Sequence, residues 1–159
     1  KGSKLVDGIF AGETINTPSM LCVEDCARAV AWAERSGGQQ GLMARAKHNA
    51  GLVHEWIATS AWAANLAADP ATWSLSSVCI AISDTAFLSL HDGDQRAFVN
   101  DMARRLEHDR AAFDIAGHRG APAGLRIWTG ATIDAEDIAA LLPWLDWAYA
   151  AVRRDRISS

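Results

Sequence analysis

Two short runs in this chain bring together side chains suited to holding anions. In "DIAGHRGAPAGLRIWTG", residues 114–130, His118 and Arg119 are adjacent, and Arg126 follows beyond a glycine-containing loop. A guanidinium offers a flat fork of N–H donors that matches a carboxylate or phosphate through two parallel hydrogen bonds. Gly117, Gly120 and Gly124 let the backbone fold back tightly, so three donors could converge on a small molecule with two anionic ends. Within "GLRIWT" the strand period of two puts Leu125, Ile127 and Thr129 on one face and Arg126 with Trp128 on the other. The plainer alternative is a solvated arginine resting on Trp128 and a loop histidine that only hydrogen-bonds.

The second run is "GETINTPSM", where Asn16 and Thr17 precede a helix. A helix N-terminus exposes unpaired N–H groups and the positive end of the helix dipole, and the Thr17 hydroxyl adds a donor where a phosphate could rest. Thr-Pro before a helix is equally consistent with ordinary capping, Thr17 as cap and Pro18 at the first helical position.

Composition narrows the classes that could use these groups. The chain has 159 residues, is half hydrophobic, and carries a net charge of −4 with twelve arginines and three lysines. That suits a packed domain or part of a larger protein, and it leaves no basic field for a nucleic-acid backbone. No apolar run has membrane-spanning length, and nothing resembles a signal peptide. Cys22, Cys26 and Cys79 form no metal-ligand pattern; Cys22 and Cys26, four apart on one helix, read as packing residues, and no metal is expected. These features predict a soluble, reduced, cytoplasmic protein. The chain starts with Lys1 and "KGSKLVDGIF" lacks a helix or strand lead-in, from which we expect a fragment of a longer protein.

Several elements must position the two runs. A helix follows Thr17 and stops at Gly37-Gly38, with Met20, Val23, Ala27, Val30 and Ala31 on a packing face. A second helix, roughly 39–59, carries Leu42, Ala46, Asn49, Val53 and Trp56 on one stripe and should pair with the first as an antiparallel hairpin. "SVCIAIS", residues 77–83, reads as an apolar strand, and a third helix is expected from Gln95 to Ala111. "AAFDIA" and "GLRIWT" read as two further strands. The final helix starts at Asp134 and is kinked rather than ended by Pro143. The order α-α-β-α-β-β-α predicts an α+β fold, a small antiparallel sheet with helices laid on it. His54 with Glu55 and His108 with Asp109 read as polar surface. Part of the surface of the seven tryptophans is expected to meet another domain or subunit.

Taken together, "GIFAGETINTPSMLCVEDCARAVAWAERSGG", "LAADPATWSLSSVCIAI" and "GAPAGLRIWTGATIDAEDIAALLPWLDWAYA" closely resemble the C-terminal part of the phosphoserine aminotransferases, fold type I, class V pyridoxal-phosphate enzymes. The resemblance implies the small C-terminal domain of that fold over residues 19–159, with residues 1–18 as a leading linker. It implies transfer of an amino group between glutamate and 3-phosphohydroxypyruvate, giving 2-oxoglutarate and O-phosphoserine in serine biosynthesis, in a homodimer. Carried over by position, Asn16 and Thr17 match residues that reach the phosphate of the neighbouring subunit's pyridoxal phosphate. Arg126 matches the arginine for the substrate carboxylate, and His118 with Arg119 match the pair for the substrate phosphate. The loop from Arg119 to Arg126 is one residue longer than in the commonest form of the family, and members with the longer loop often lack the histidine.

Pyridoxal chemistry requires a Schiff-base lysine and a carboxylate for the ring nitrogen. In the family both belong to a preceding large domain, and Lys1, Lys4 and Lys47 match neither. The chain is therefore expected to carry no catalytic residue and to be inactive alone. Two rival readings are a serine-glyoxylate type aminotransferase and a non-catalytic interaction or anion-binding domain. A neutral substrate side chain would leave Arg119 without an anion, which argues against the first.

Overall fold

The computed structural model describes residues 7–14, 16–118 and 120–157. The chain divides into two compact units, up to Gly41 and from Leu42 onward.

In the first unit a short 3-10 turn, Asp7–Ala11, closes through Glu13 N–H donating to Gly8 O at 2.8 Å. Helix α1 follows over Met20–Arg35. Its cap is Ser19 rather than the expected Thr17: the Ser19 hydroxyl accepts from Cys22 N–H at 3.5 Å. The helix thus begins beyond Pro18, and Thr17 stays outside it. Ser36 caps the far end, and Gly37 and Gly38 adopt φ of +92° and +61°, a conformation that costs glycine little. None of the α1 side chains is buried, and Met20, Val23 and Val30 are all exposed, so the expected packing face is not buried here. Cys22 and Cys26 are likewise exposed rather than packed. Helical spacing specifies the shape of this segment but not what covers it.

Helix α2, Gly38–Thr59, runs into the second unit and buries Asn49, Ala50, Val53 and Ile57. Three strands, β1 (Ala63–Asn65), β2 (Ser77–Ile82) and β3 (Gly124–Trp128), form an antiparallel sheet in the order β1-β2-β3. Ala63 pairs with Ile82, and Val78 and Ile80 pair with Ile127 and Leu125. Val78, Ile80, Ile82, Leu125 and Ile127 all point into the core. Helix α3 (Thr85–Leu88) leads to α4 (Asp92–His108), which packs on β3 and on α5 (Ala135–Ile157). Phe98, Met102 and Leu106 of α4 and Leu145, Ala148 and Val152 of α5 complete the core. The α+β class is as expected, and α5 continues through Pro143. Among the described residues no helix is long and apolar enough to cross a membrane.

The element order differs from expectation, α-α-β-β-α-α-β-α. Residues 111–116 form no strand but a single bridge, Ala116 to Leu125. Arg110 and Asp114 have φ of +57° and +52°, which breaks extended backbone on either side of Phe113. Arg110 also ends α4 three residues early: its N–H bonds Glu107 O at 3.0 Å while Ala111 N–H bonds Leu106 O at 2.8 Å, the double closure of a Schellman motif.

Two carboxylates tie α5 to the rest. Asp84 caps α3 by accepting from Ala86 N–H at 3.1 Å, and it also accepts from Tyr149 Oη at 2.5 Å and Arg153 Nε at 2.9 Å. The Tyr149 hydroxyl bond, with help from Arg153 and the Ala86 N–H, holds the Asp84 carboxyl below its ordinary range despite burial, which acts the other way. Burial, and then the Asp84 hydrogen bond and charge, push the Tyr149 hydroxyl up. Asp146 accepts from two indoles, Trp62 Nε1 at 2.8 Å and Trp56 Nε1 at 3.1 Å, and Trp62 stacks on Tyr149 with ring centres 4.3 Å apart.

Candidate functional site

The pairing of β3 with β2 sets Arg126 opposite Cys79 and Trp128 opposite Ser77. Leu125 and Ile127 take the core side, so Arg126 and Trp128 stand on the uncovered face, as the alternation predicts. The chain ahead of the glycine loop runs along the free edge of β3. Arg126 N–H donates to Ile115 O at 2.8 Å and Gly117 N–H to Gly124 O at 2.9 Å. Glycine is needed in this return: a Cβ on Gly124 would lie 2.3 Å from Ile80 O, and one on Gly117 would lie 2.9 Å from Gly124 O.

These bonds bring Phe113 and Asp114 beside Arg126 and open a hollow of about 450 Å³ lined by Ser77, Phe113, Asp114, Ile115, Arg126 and Trp128. Arg126 Nη2 lies 3.9 Å from Asp114 Oδ2, and the two side chains are 43% and 93% exposed. The Trp128 indole folds over Gly130, where an added Cβ would sit 2.5 Å from the ring. Beyond it, the loop to α5 is fixed from α2. Arg45 donates to Ala131 O at 2.9 Å and to Asp134 Oδ1 at 2.7 Å, and the buried Asn49 amide donates to Ile133 O at 2.9 Å. The strand bearing Arg126 is held at both ends, while its outer face is open to a ligand.

His118 is exposed, and its Nδ1 accepts from Gly120 N–H at 3.1 Å, which leaves Nε2 as the ring's donor. It lines a different hollow, of about 320 Å³, with Arg96 and Asn100 of α4 and with Gly117, Pro122 and Gly124. Arg96 Nη2 donates to Ala121 O at 3.2 Å, joining this loop to α4. Arg119 lies outside the described residues. The linings of the two hollows share no residue, so the described chain does not gather His118 and Arg126 into one cavity. Alternation explains the separation: Ala116, and His118 two residues on, take the side toward α4, whereas Arg126 takes the open side.

Asn16 and Thr17 are exposed just ahead of the α1 N-terminus. An amide, a hydroxyl and the first N–H groups of a helix form a donor set that fits a phosphate monoester. Residues that sequence reasoning missed are Phe113, Asp114 and Ser77 beside Arg126, and Arg96 and Asn100 beside His118. The one hint was an aspartate between Phe113 and Ile115 in a supposed strand. His54, expected at the surface, is half-buried: it stacks on Trp73 with ring centres 4.1 Å apart, and its Nδ1 lies 2.8 Å from Asn65 Oδ1.

The fold is similar to part of two solved structures. Superposition on a phosphoserine aminotransferase from Bacillus circulans subsp. alkalophilus gives a TM-score of 0.69 at 18% identity, covering 86% of this chain and 34% of that one. A pyridoxal-phosphate-bound phosphoserine aminotransferase from Trichomonas vaginalis gives 0.68 at 22% identity, covering 87% and 36%. No protein-family model matches the chain.

By sequence the chain is similar to two curated phosphoserine aminotransferases. Those of Methanosarcina mazei and Methanosarcina barkeri are each 39% identical to it over 153 residues, 96% of this chain. The chain spans 39% of the length of these curated relatives.

Proposed function

We propose that this chain is the C-terminal, substrate-contacting part of a phosphoserine aminotransferase, exchanging an amino group between glutamate and 3-phosphohydroxypyruvate in cytoplasmic serine biosynthesis. The observation that carries the reading is Arg126, set on the open face of a rigid sheet in a hollow large enough for a small ligand, in a chain 39% identical to phosphoserine aminotransferases. Residues 1–18 act as linker and 19–159 as the small domain.

Arg126 would grip the substrate's carboxylate with its fork, and Trp128 and Phe113 would shield that contact from water. His118 and Arg119 would take the substrate phosphate. Because His118 opens on another hollow than Arg126, the two ends of one substrate are not held within a single cavity of the described chain. Asn16 and Thr17 would hold the phosphate of pyridoxal phosphate bound to the partner of a homodimer. When bound, that cofactor supplies the electron sink that lets an amino group pass between an amino acid and a keto acid. None of Lys1, Lys4 and Lys47 is assigned to its chemistry, so the chain alone is expected to be inactive.

The test uses the complete gene product, supplied with O-phosphoserine or serine and 2-oxoglutarate, and follows glutamate formation. Glutamate should arise from phosphoserine and not from serine. Arg126→Ala should lower kcat/KM by about ten- to a hundred-fold, the loss of a charge-assisted hydrogen bond or two, with a smaller loss for Arg119→Ala. Glutamate from serine alone would shift the assignment to a serine-glyoxylate type enzyme, and no glutamate from either would sink the aminotransferase reading.

A further inference from the structure

Asp114 is the carboxylate beside Arg126 in the hollow, and three features make its position informative. Its backbone is left-handed at φ +52°, a region that aspartate tolerates better than most residues. The segment around it is pinned to β3 by the Arg126–Ile115 and Gly117–Gly124 backbone bonds, so its Cα cannot drift from the arginine. Its side chain is 93% exposed and stops 3.9 Å from Arg126 Nη2, beyond the roughly 2.7–2.9 Å of a forked pair. The carboxylate therefore sits near the guanidinium without forming a forked pair with it, and among the described residues no other carboxylate lines the hollow. Around Arg126 the hollow presents Ser77, Phe113 and Trp128, none of them charged, and Asp114 is the carboxylate on its lining.

From this geometry we infer that Asp114 is a resident counter-ion of the Arg126 site, displaced by an incoming ligand carboxylate, and that it sets the affinity and salt dependence of that ligand. This rests on the proposed carboxylate role of Arg126. Ahead of a ligand, Asp114 offsets part of the guanidinium charge. A ligand carboxylate gains the forked contact but must move or tolerate a fixed negative charge, so binding is weaker than Arg126 alone would give. The charge also disfavours ligands that bring additional anionic groups close to this end of the site.

The experiment uses the complete, cofactor-loaded gene product with Asp114→Asn, which keeps the left-handed turn because asparagine adopts it readily. Two readouts are taken at low and high ionic strength: KM for 2-oxoglutarate, and equilibrium binding of glutarate, an unreactive dicarboxylate, by calorimetry. The expected result is a fall of about two- to five-fold in both constants at low salt, the range of an exposed ion pair. The effect is carried by KM more than by kcat, and it shrinks at high salt as screening removes it. Arg126→Ala, measured in parallel, should raise both constants. If Arg126→Ala raises them and Asp114→Asn leaves them unchanged or higher, the counter-ion role is overturned while the carboxylate site stands. If Arg126→Ala moves neither, the carboxylate site itself fails and the counter-ion role falls with it.

Discussion

The two faces of one sheet behave as different materials. On one side Val78, Ile80, Leu125 and Ile127 are at most 3% exposed and pack with residues of α2, α4 and α5. On the other, Ser77, Cys79, Arg126 and Trp128 occupy intervening positions of the same strands and line an open hollow or face solvent. A strand's alternation therefore separates the residues that make the domain stable from those that could make it useful, with no need for a separate scaffold. Substitutions one residue apart should consequently have unlike effects.

The largest effect on stability is expected at the closed face. Ile127→Ala should cost about 2–5 kcal/mol through lost burial and a residual cavity, read as a lowered urea midpoint with an unchanged slope. If its neighbour Trp128→Ala cost as much, the division between the faces would be wrong.

An intermediate effect is expected where α5 is tied down. Asp84→Asn should cost about 1–3 kcal/mol, because the variant weakens the contacts of Tyr149, Arg153 and the Ala86 N–H together. The same substitution should reshape the pH profile. Asp84 titrates lower in the folded chain than its unfolded value of 3.8, so its contribution is full above that pH and is lost as pH falls through the folded value. Tyr149 titrates higher than its unfolded value of 10.0, so its contribution is full below that pH and declines above it. Midpoints measured from pH 2 to 11 should fall at both ends in the parent and fall less steeply at the acid end in Asp84→Asn.

The smallest effect belongs to the open face. Cys79→Ser, opposite Arg126, should leave stability within about 0.5 kcal/mol of the parent by the same denaturation measurement. A larger loss would mean that this face is packed after all.

Much of this division is legible in the sequence. The alternation in β3 separated its two faces, and the helical stripe of α2 marked part of the core through Asn49 and Val53. Local signals failed where tertiary contacts decide. Ala63-Ala64-Asn65 has no strand preference of its own and becomes β1 only because β2 lies beside it. Helix α3 is a single turn held by the Asp84 cap. The supposed strand at residues 111–116 fell to two left-handed residues, which pattern counting does not anticipate for Arg110 and Asp114. In the candidate site, the outward direction of Arg126 followed from its strand. Its separation from His118 and its nearness to Asp114 did not, since both depend on how the loop folds back along β3.

The contact of Trp128 with Gly130 has a consequence for inheritance. The indole and the missing side chain claim the same space, so the two positions cannot vary independently. Any lineage that placed a methyl group or more at position 130 would have to reduce or re-aim the ring at 128, and with it one wall of the arginine hollow. The pair should pass between descendants as one unit, large beside nothing or small beside small, so that a change in ligand preference at this face could begin with a substitution at a glycine outside the lining of the hollow.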